Sequence, residues 1–227
     1  MARRKKAATE GSFAYRNGLS IAFALLMLVT LVAHAVTGWR VHNDERIERG
    51  QGTQALAEYL QDGAFQSSLF ENWESEFLQM ALFVVLTVGL RQKGSSESRK
   101  LDPAEEAGKQ KRYPVAEQPW AARQKGFVRK LYEHSLSLAL FLLFALSFVG
   151  HLVSSRRQHA EEALLKGTEA PSLLEHLGSA QFWFESMQNW QSEFLAVLAI
   201  VVLSIFLREK DSSQSKQVEA PHGETGD

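Results

Sequence analysis

Hydrophobic side chains gather in four runs along this 227-residue chain, separated by polar stretches. Residues 19–36 and 136–153 each give 18 positions without formal charge when their single histidine, His34 or His151, is neutral. At 1.5 Å per residue such a run covers about 27 Å, close to the roughly 30 Å of bilayer hydrocarbon. Residues 77–90 and 194–207 are apolar for only 14 positions, but Leu69, Phe70 and Trp73 extend the first outward, and Trp183, Phe184 and Trp190 the second. Such rings favour the membrane interface, Trp73 and Trp190 above all. The pattern predicts four transmembrane helices, at 18–38, 69–90, 135–155 and 186–207.

The runs recur in order because the chain repeats itself. Residues 15–96 align with 132–213 without a gap, and 31 of the 82 columns are identical. Tyr15 meets Tyr132, His34 meets His151, Arg40 meets Arg157, His42 meets His159 and Arg91 meets Arg208. Such self-similarity fixes the number and orientation of elements at once. The expected fold is an all-α membrane protein, a four-helix bundle made of two tandem, parallel-repeat hairpins.

Charge sets the direction. Segments 1–18 and 91–130 carry five and eleven Lys or Arg, whereas 37–68 and 154–185 carry three each. By the positive-inside rule both termini and the central linker are cytoplasmic and the two loops lie outside. Arg3, Arg4, Lys5 and Lys6 ahead of an apolar run, with Ala33-His34-Ala35 behind it, imitate a secretory signal. The counterpart run at 136–153 lies mid-chain, where no signal can be, so a spanning helix is the expectation.

The resulting organisation is a basic N-terminus at 1–14, a hairpin at 15–94, a linker at 95–131, a second hairpin at 132–211 and a tail at 212–227. Charge and the prolines Pro103, Pro114 and Pro119 leave the linker too little apolar surface to offset chain entropy, and the tail reads the same way, so both are expected to be disordered. In the outer loops, Leu56-Glu58-Leu60 matches Leu173-Glu175-Leu177. This predicts short amphipathic helices near 54–61 and 171–177, with a turn at Gly50 or Gly167 before them and Ser172 capping the second. Phe65 and Phe182 match where the chain returns to the membrane.

The candidate chemistry sits in Asn-Trp-x-Ser-Glu-Phe-Leu, at 72–78 and 189–195, where Glu74 of one copy faces Gln191 of the other. Glu76 and Glu193 lie about fifteen residues, or roughly 22 Å, from the cytoplasmic Arg91 and Arg208. His34 and His151 reach a comparable depth. Ionisable groups there need partners. We therefore expect His34 to pair with Glu76 and His151 with Glu193. Asn72, Ser75, Asn189 and Ser192 complete two polar clusters that act as interhelical clamps or as a relay.

A metal set of His34, His42, Glu76 and their copies has suitable atoms, but histidines eight apart do not share the four-residue spacing of helical metal motifs, so none is expected. Arg40 and Arg157 are expected to pair with loop acids such as Glu45 and Glu162.

Composition narrows the rest. With 25 basic against 26 acidic residues there is no nucleic-acid signature, and with no cysteine there are no disulfides and no thiol chemistry. No nucleotide loop or hydrolase motif occurs, so neither an enzyme nor a cofactor is expected.

The duplicated hairpin, the segment Phe70-Glu71-Asn72-Trp73-Glu74-Ser75-Glu76-Phe77-Leu78-Gln79-Met80 and the exit Leu90-Arg91-Gln92-Lys93-Gly94-Ser95 resemble a family of small bacterial multi-pass membrane proteins known only as a domain of unknown function. That resemblance implies a bacterial inner-membrane location and brings no activity or ligand. The expected role is a structural or interaction component whose partners are the lipid bilayer and a membrane protein or a second copy. The alternative is a small proton- or ion-conducting transporter using the membrane His and Glu residues.

Overall fold

The computed structural model describes residues 12–109 and 113–226, so the basic cluster Arg3 to Lys6 lies outside the described residues. These residues form α-helices and two short 3-10 turns, and no strand occurs among them. The chain divides into two units, one ending at Phe65 and the other beginning at Gln66.

In the first unit, α1 (Phe13–Glu48) starts at Ser12, whose hydroxyl accepts the Tyr15 N–H, and stops before Gly50, at φ 73°. Ten residues of helix therefore continue beyond the predicted span into the loop that follows. There Trp39 Nε1 and Asn43 Nδ2 donate to the Gln54 carbonyl at 2.7 and 3.1 Å, and Arg46 Nε donates to Gly52 O at 2.8 Å. This strap leads into α2 (Leu56–Tyr59), whose one buried side chain is Tyr59. The first turn of α3 (Gly63–Gly89) closes the unit.

The second unit holds the rest of α3, then α4 (Pro103–Lys109), α5 (Phe127–Glu133), α6 (Ser135–Leu165), α7 (Leu173–Leu177) and α8 (Ala180–Phe206). The two short outer-loop helices thus form where amphipathicity places them, with the turn glycine Gly167 at φ 67° and Ser172 capping α7. Where α3 passes α6, a Cβ at Gly150 would stand 2.7 Å from Phe70 Cγ, so the ring lies on bare backbone.

Three helices, α1, α6 and α8, are long and apolar enough to cross a membrane, against the four predicted. At 27 residues α3 has the length, about 40 Å, but Glu71, Glu74, Glu76 and Gln79 lie in its N-terminal two thirds and leave a short apolar remainder. Leu142, Leu146, Leu195 and Leu198 on α6 and α8 are exposed, as lipid-facing side chains would be.

Over their described residues the linker and tail, for which disorder is the expectation, carry short helices and turns. Besides α4 and α5 the linker has turns at Val115–Glu117 and Trp120–Arg123. Hydrogen bonding replaces the missing apolar core. After α3, Arg91 Nη1 folds back to donate to the carbonyls of Thr87, Val88 and Leu90, and Ser98 Oγ accepts the Gln92 N–H at 2.9 Å. After α8, Arg208 Nη1 donates to Ser204, Ile205 and Leu207 carbonyls, and Ser215 Oγ accepts the Glu209 N–H at 2.9 Å. Both arginines satisfy carbonyls that a helix end leaves orphaned.

The tail then docks on the first of these turns. Gly94 N–H donates to Thr225 Oγ1 at 2.9 Å, Gly226 N–H to Ser95 O at 2.9 Å, and Lys100 pairs with Glu224 at 2.7 Å. The buried Lys216 ammonium donates to the carbonyls of Pro221, His222 and Glu224, and burial holds its pKa below the ordinary lysine value.

Candidate functional site: a buried histidine and carboxylate network

Helical spacing gathers the polar side chains of the second unit. On α6, His151, Ser155 and His159 recur every four residues; on α8, Glu185, Asn189 and Trp190 fall within two turns; on α3, Glu71 and Glu74 are three apart. The α6 and α3 sets therefore each lie on one helical face, while on α8 Glu185 and Asn189 stack one turn apart with Trp190 next to them in sequence. Phe182, with no exposed surface, packs edge-on to Phe148 and sits 4.8 Å, ring to ring, from His151.

His151 is the centre. Its Nδ1 lies 3.2 Å from Glu74 Oε2 and its Nε2 lies 3.4 Å from Glu185 Oε2, with the histidine and Glu74 both wholly buried. Ionised carboxylates only accept, so one ring satisfies both acids when both its nitrogens carry hydrogen. Trp190 Nε1 donates to Glu74 Oε1 at 3.1 Å, Ser155 Oγ donates to Glu185 Oε2 at 2.9 Å, and Gln181 Nε2 donates to Glu185 Oε1 at 2.8 Å. Asn189 Nδ2 donates to Glu71. The network thereby ties α3, α6 and α8 together.

From above, α7 adds one ring. His176 is buried, with Nε2 3.0 Å from Ser155 Oγ and its ring 5.0 Å from that of His159. Because Ser155 gives its hydrogen to Glu185, it receives the Nε2–H of His176. Burial, with His159 adding to it, holds the His176 pKa below the ordinary histidine value.

The first unit stacks its rings in the same order. Phe65 lies 5.4 Å from His34 and 5.4 Å from Tyr59, and Tyr59 lies 5.2 Å from His42. Phe182, His151, His176 and His159 hold the matching places in the second. Its polar companions differ: His42 Nε2 meets Gln54 Oε1 at 3.0 Å and Asp62 at 3.9 Å.

The residues singled out from sequence separate into two groups. His151 and Asn189 join the network. His151 does so through Glu74 and Glu185 rather than through Glu193, whose side chain is half-buried and whose backbone carbonyl accepts from Gln79 at 3.0 Å. Trp190, expected as an interface anchor, instead donates into the network, while Trp73 packs on Phe70 at 5.9 Å.

Ser75, Ser192 and Asn72 bond carbonyls of their own helices, at Asn72, Asn189 and Ser68. His34 lies in the first unit against Phe65, and Glu76 lies exposed on α3. The loop arginines also choose neighbours one turn away: Arg157 pairs with Glu161, while Glu45 pairs with Arg49 and Glu162 with Lys166. Among the described residues no three His, Asp or Glu side chains converge as metal ligands.

A family model described as "Domain of unknown function (DUF6766)" matches residues 10–227, which takes in both ring stacks, the network and the docked tail. The chain belongs to that family. No curated protein and no solved structure matches it. Membership of DUF6766 is consistent with the resemblance seen in the sequence and assigns no chemistry to His151, Glu74 or Glu185.

Proposed function

We propose that this chain is a multi-pass protein of a bacterial inner membrane that serves as a structural or interaction component, not as an enzyme. In this reading α1, α3, α6 and α8 all cross, both termini are cytoplasmic, and the chain is a tandem duplication of one hairpin. The ring stacks and the twin arginine turns support the duplication, and the basic linker supports the orientation. Glu71 and Glu74 sit in the outer half of α3 at no great cost because both have protein partners, which is how ionisable groups persist at membrane depth.

One observation favours a clamp over a proton or ion pathway. The network ends abruptly: Met80 to Gly89 on α3, Ser135 to Gly150 on α6 and Phe194 to Phe206 on α8 include no ionisable side chain. A relay would need stepping stones through that half, whereas a clamp needs only saturated bonds between helices. Interhelical bonds of this kind contribute about 0.6 to 2 kcal/mol each in membranes, where apolar contact alone gives little preference over lipid.

Reconstitution tests the choice. Liposomes holding the protein are expected to show no proton or monovalent-cation flux above empty vesicles, while Glu74→Gln weakens the fold. Flux that Glu74→Gln or His151→Gln abolishes would establish transport instead.

A further inference from the structure

The outer-loop helix α7 is fastened mainly by one titratable ring. His176 is its only buried side chain; Leu173 is 44% and Leu174 79% exposed, and Leu177 is half-buried, so apolar burial holds the turn only in part. The other fastenings are neutral or peripheral: Arg156 Nε donates to Pro171 O at 2.9 Å, Trp183 Nε1 to Leu177 O at 2.9 Å and Ser179 Oγ to His176 O at 2.7 Å. Beneath His176 lie Ser155, His151 and Phe182, all with no exposed surface.

We propose that α7 is an acid-released lid: a proton on His176 loosens its seat over Ser155 and admits water to the buried His151 beneath it. For what the lid covers, the inference rests on the clamp described above.

The groups facing His176 decide the direction. From α6 come His159, His151 and Arg156, and from α8 comes Glu185. On α7 itself Glu175 is engaged with the backbone N–H of Ser172 at the helix start. Seated, His176 is neutral and donates Nε2–H to Ser155, and Nδ1 has no protein partner among the described residues. A second proton would place a cation on a ring with 3% of its surface exposed, beside His159 and Arg156. Among the described residues the one facing carboxylate, Glu185, is already shared by His151, Ser155 and Gln181, with His159 Nε2 4.0 Å away. An exposed His176 has no such penalty, so acid favours the open turn.

The first unit supplies an internal control. Its short helix α2 has the same plan, with a single buried ring, but that ring is Tyr59, whose hydroxyl burial pushes above the ordinary tyrosine value. Acid therefore leaves α2 seated.

Hydrogen exchange on the full chain in nanodiscs, at about pH 8 and about pH 5.5 and corrected for intrinsic rates, reads both lids at once. Amides of 173–179 are expected to lose about tenfold in protection at the lower pH, while those of 56–60 do not change. His176→Tyr, which borrows the residue of the first lid, should remain closed at both. His176→Gln, which keeps a donor for Ser155 and cannot take the proton, gives the same readout if the tyrosine variant fails to fold. Equal protection of 173–179 at both pH values, an acid response that persists in these variants, or equal opening of α2 would overturn the lid. Failure of the clamp would instead show at pH 8, as an unchanged stability of Glu74→Gln.

Discussion

His151 Nδ1 stands 3.2 Å from Glu74 Oε2, and neither side chain has exposed surface. The histidine comes from the second hairpin and the acid from the first, 77 positions earlier. The pair therefore does not recur by symmetry: the position matching Glu74 is Gln191, and the one matching Glu185 is Ser68. The network therefore draws different side chains from the two aligned stretches of sequence.

Glu74→Gln keeps an acceptor for Trp190 but withdraws the ionised acceptor from His151. It should cost about 1–3 kcal/mol, the usual penalty of an unsatisfied buried donor. Glu193→Gln, at a half-buried site without a bond to His151, should stay within about 0.5 kcal/mol. Reversible unfolding in mixed micelles compares the two. Equal losses would show that the carboxylate at 74 has no special place.

The contact of α3 with α6 depends on a missing side chain. In Gly150→Ala the new methyl would meet Phe70 Cγ at 2.7 Å, which should destabilise by about 1–3 kcal/mol through overpacking, with partial recovery when Phe70→Leu is added. Gly18→Ala, also helical but with nothing within 4 Å of its Cβ, is the control. It should be neutral or slightly stabilising, because alanine is the better helix former.

Much of this architecture is legible in the sequence. Hydrophobic runs locate α1, α6 and α8, and the matched Leu-x-Glu-x-Leu and glycine turns locate α2 and α7, because periodicity and backbone conformation are local properties. The network is harder to read. Weighting positions that agree between the aligned stretches draws attention to Glu76 and Glu193 and away from Glu74, Glu71, Glu185 and His176, which differ between them. A signal for Glu71 and Glu74 was present: two acids one turn apart, ahead of an apolar run, lie on a single helical face. The contacts of the tail are not legible in composition for another reason. Composition measures apolar burial, and this segment is held by Lys216, Ser215 and Thr225 through backbone partners.

Docking of that tail makes Gly94 sensitive. At φ 88°, a side chain there is strained, and its Cβ would lie 2.5 Å from His222 O. Gly94→Ala should therefore release residues 212–226 to added protease. Gly126→Ala carries similar strain at φ 66° but meets nothing within 4 Å, so it should leave the tail protected while losing about 1–2 kcal/mol. Release in both variants would mean that backbone strain, not tail contact, governs the result.

Whether α3 crosses the membrane is the decision on which orientation turns. The natural chain has no cysteine, so single cysteines report without background. Thr53→Cys and Glu169→Cys, in the two outer loops, should react with a membrane-impermeant maleimide in intact cells. Glu105→Cys and Ser213→Cys should react only after lysis. The basic residues flanking α3 and α5 predict this pattern, since moving eleven of them outward would oppose the rule that orients short loops. If α3 lay along one surface, positions 53 and 105 would share a side. The acids on α3 would then face an aqueous boundary, and the buried partners of Glu74 would no longer be needed to explain how that helix tolerates them.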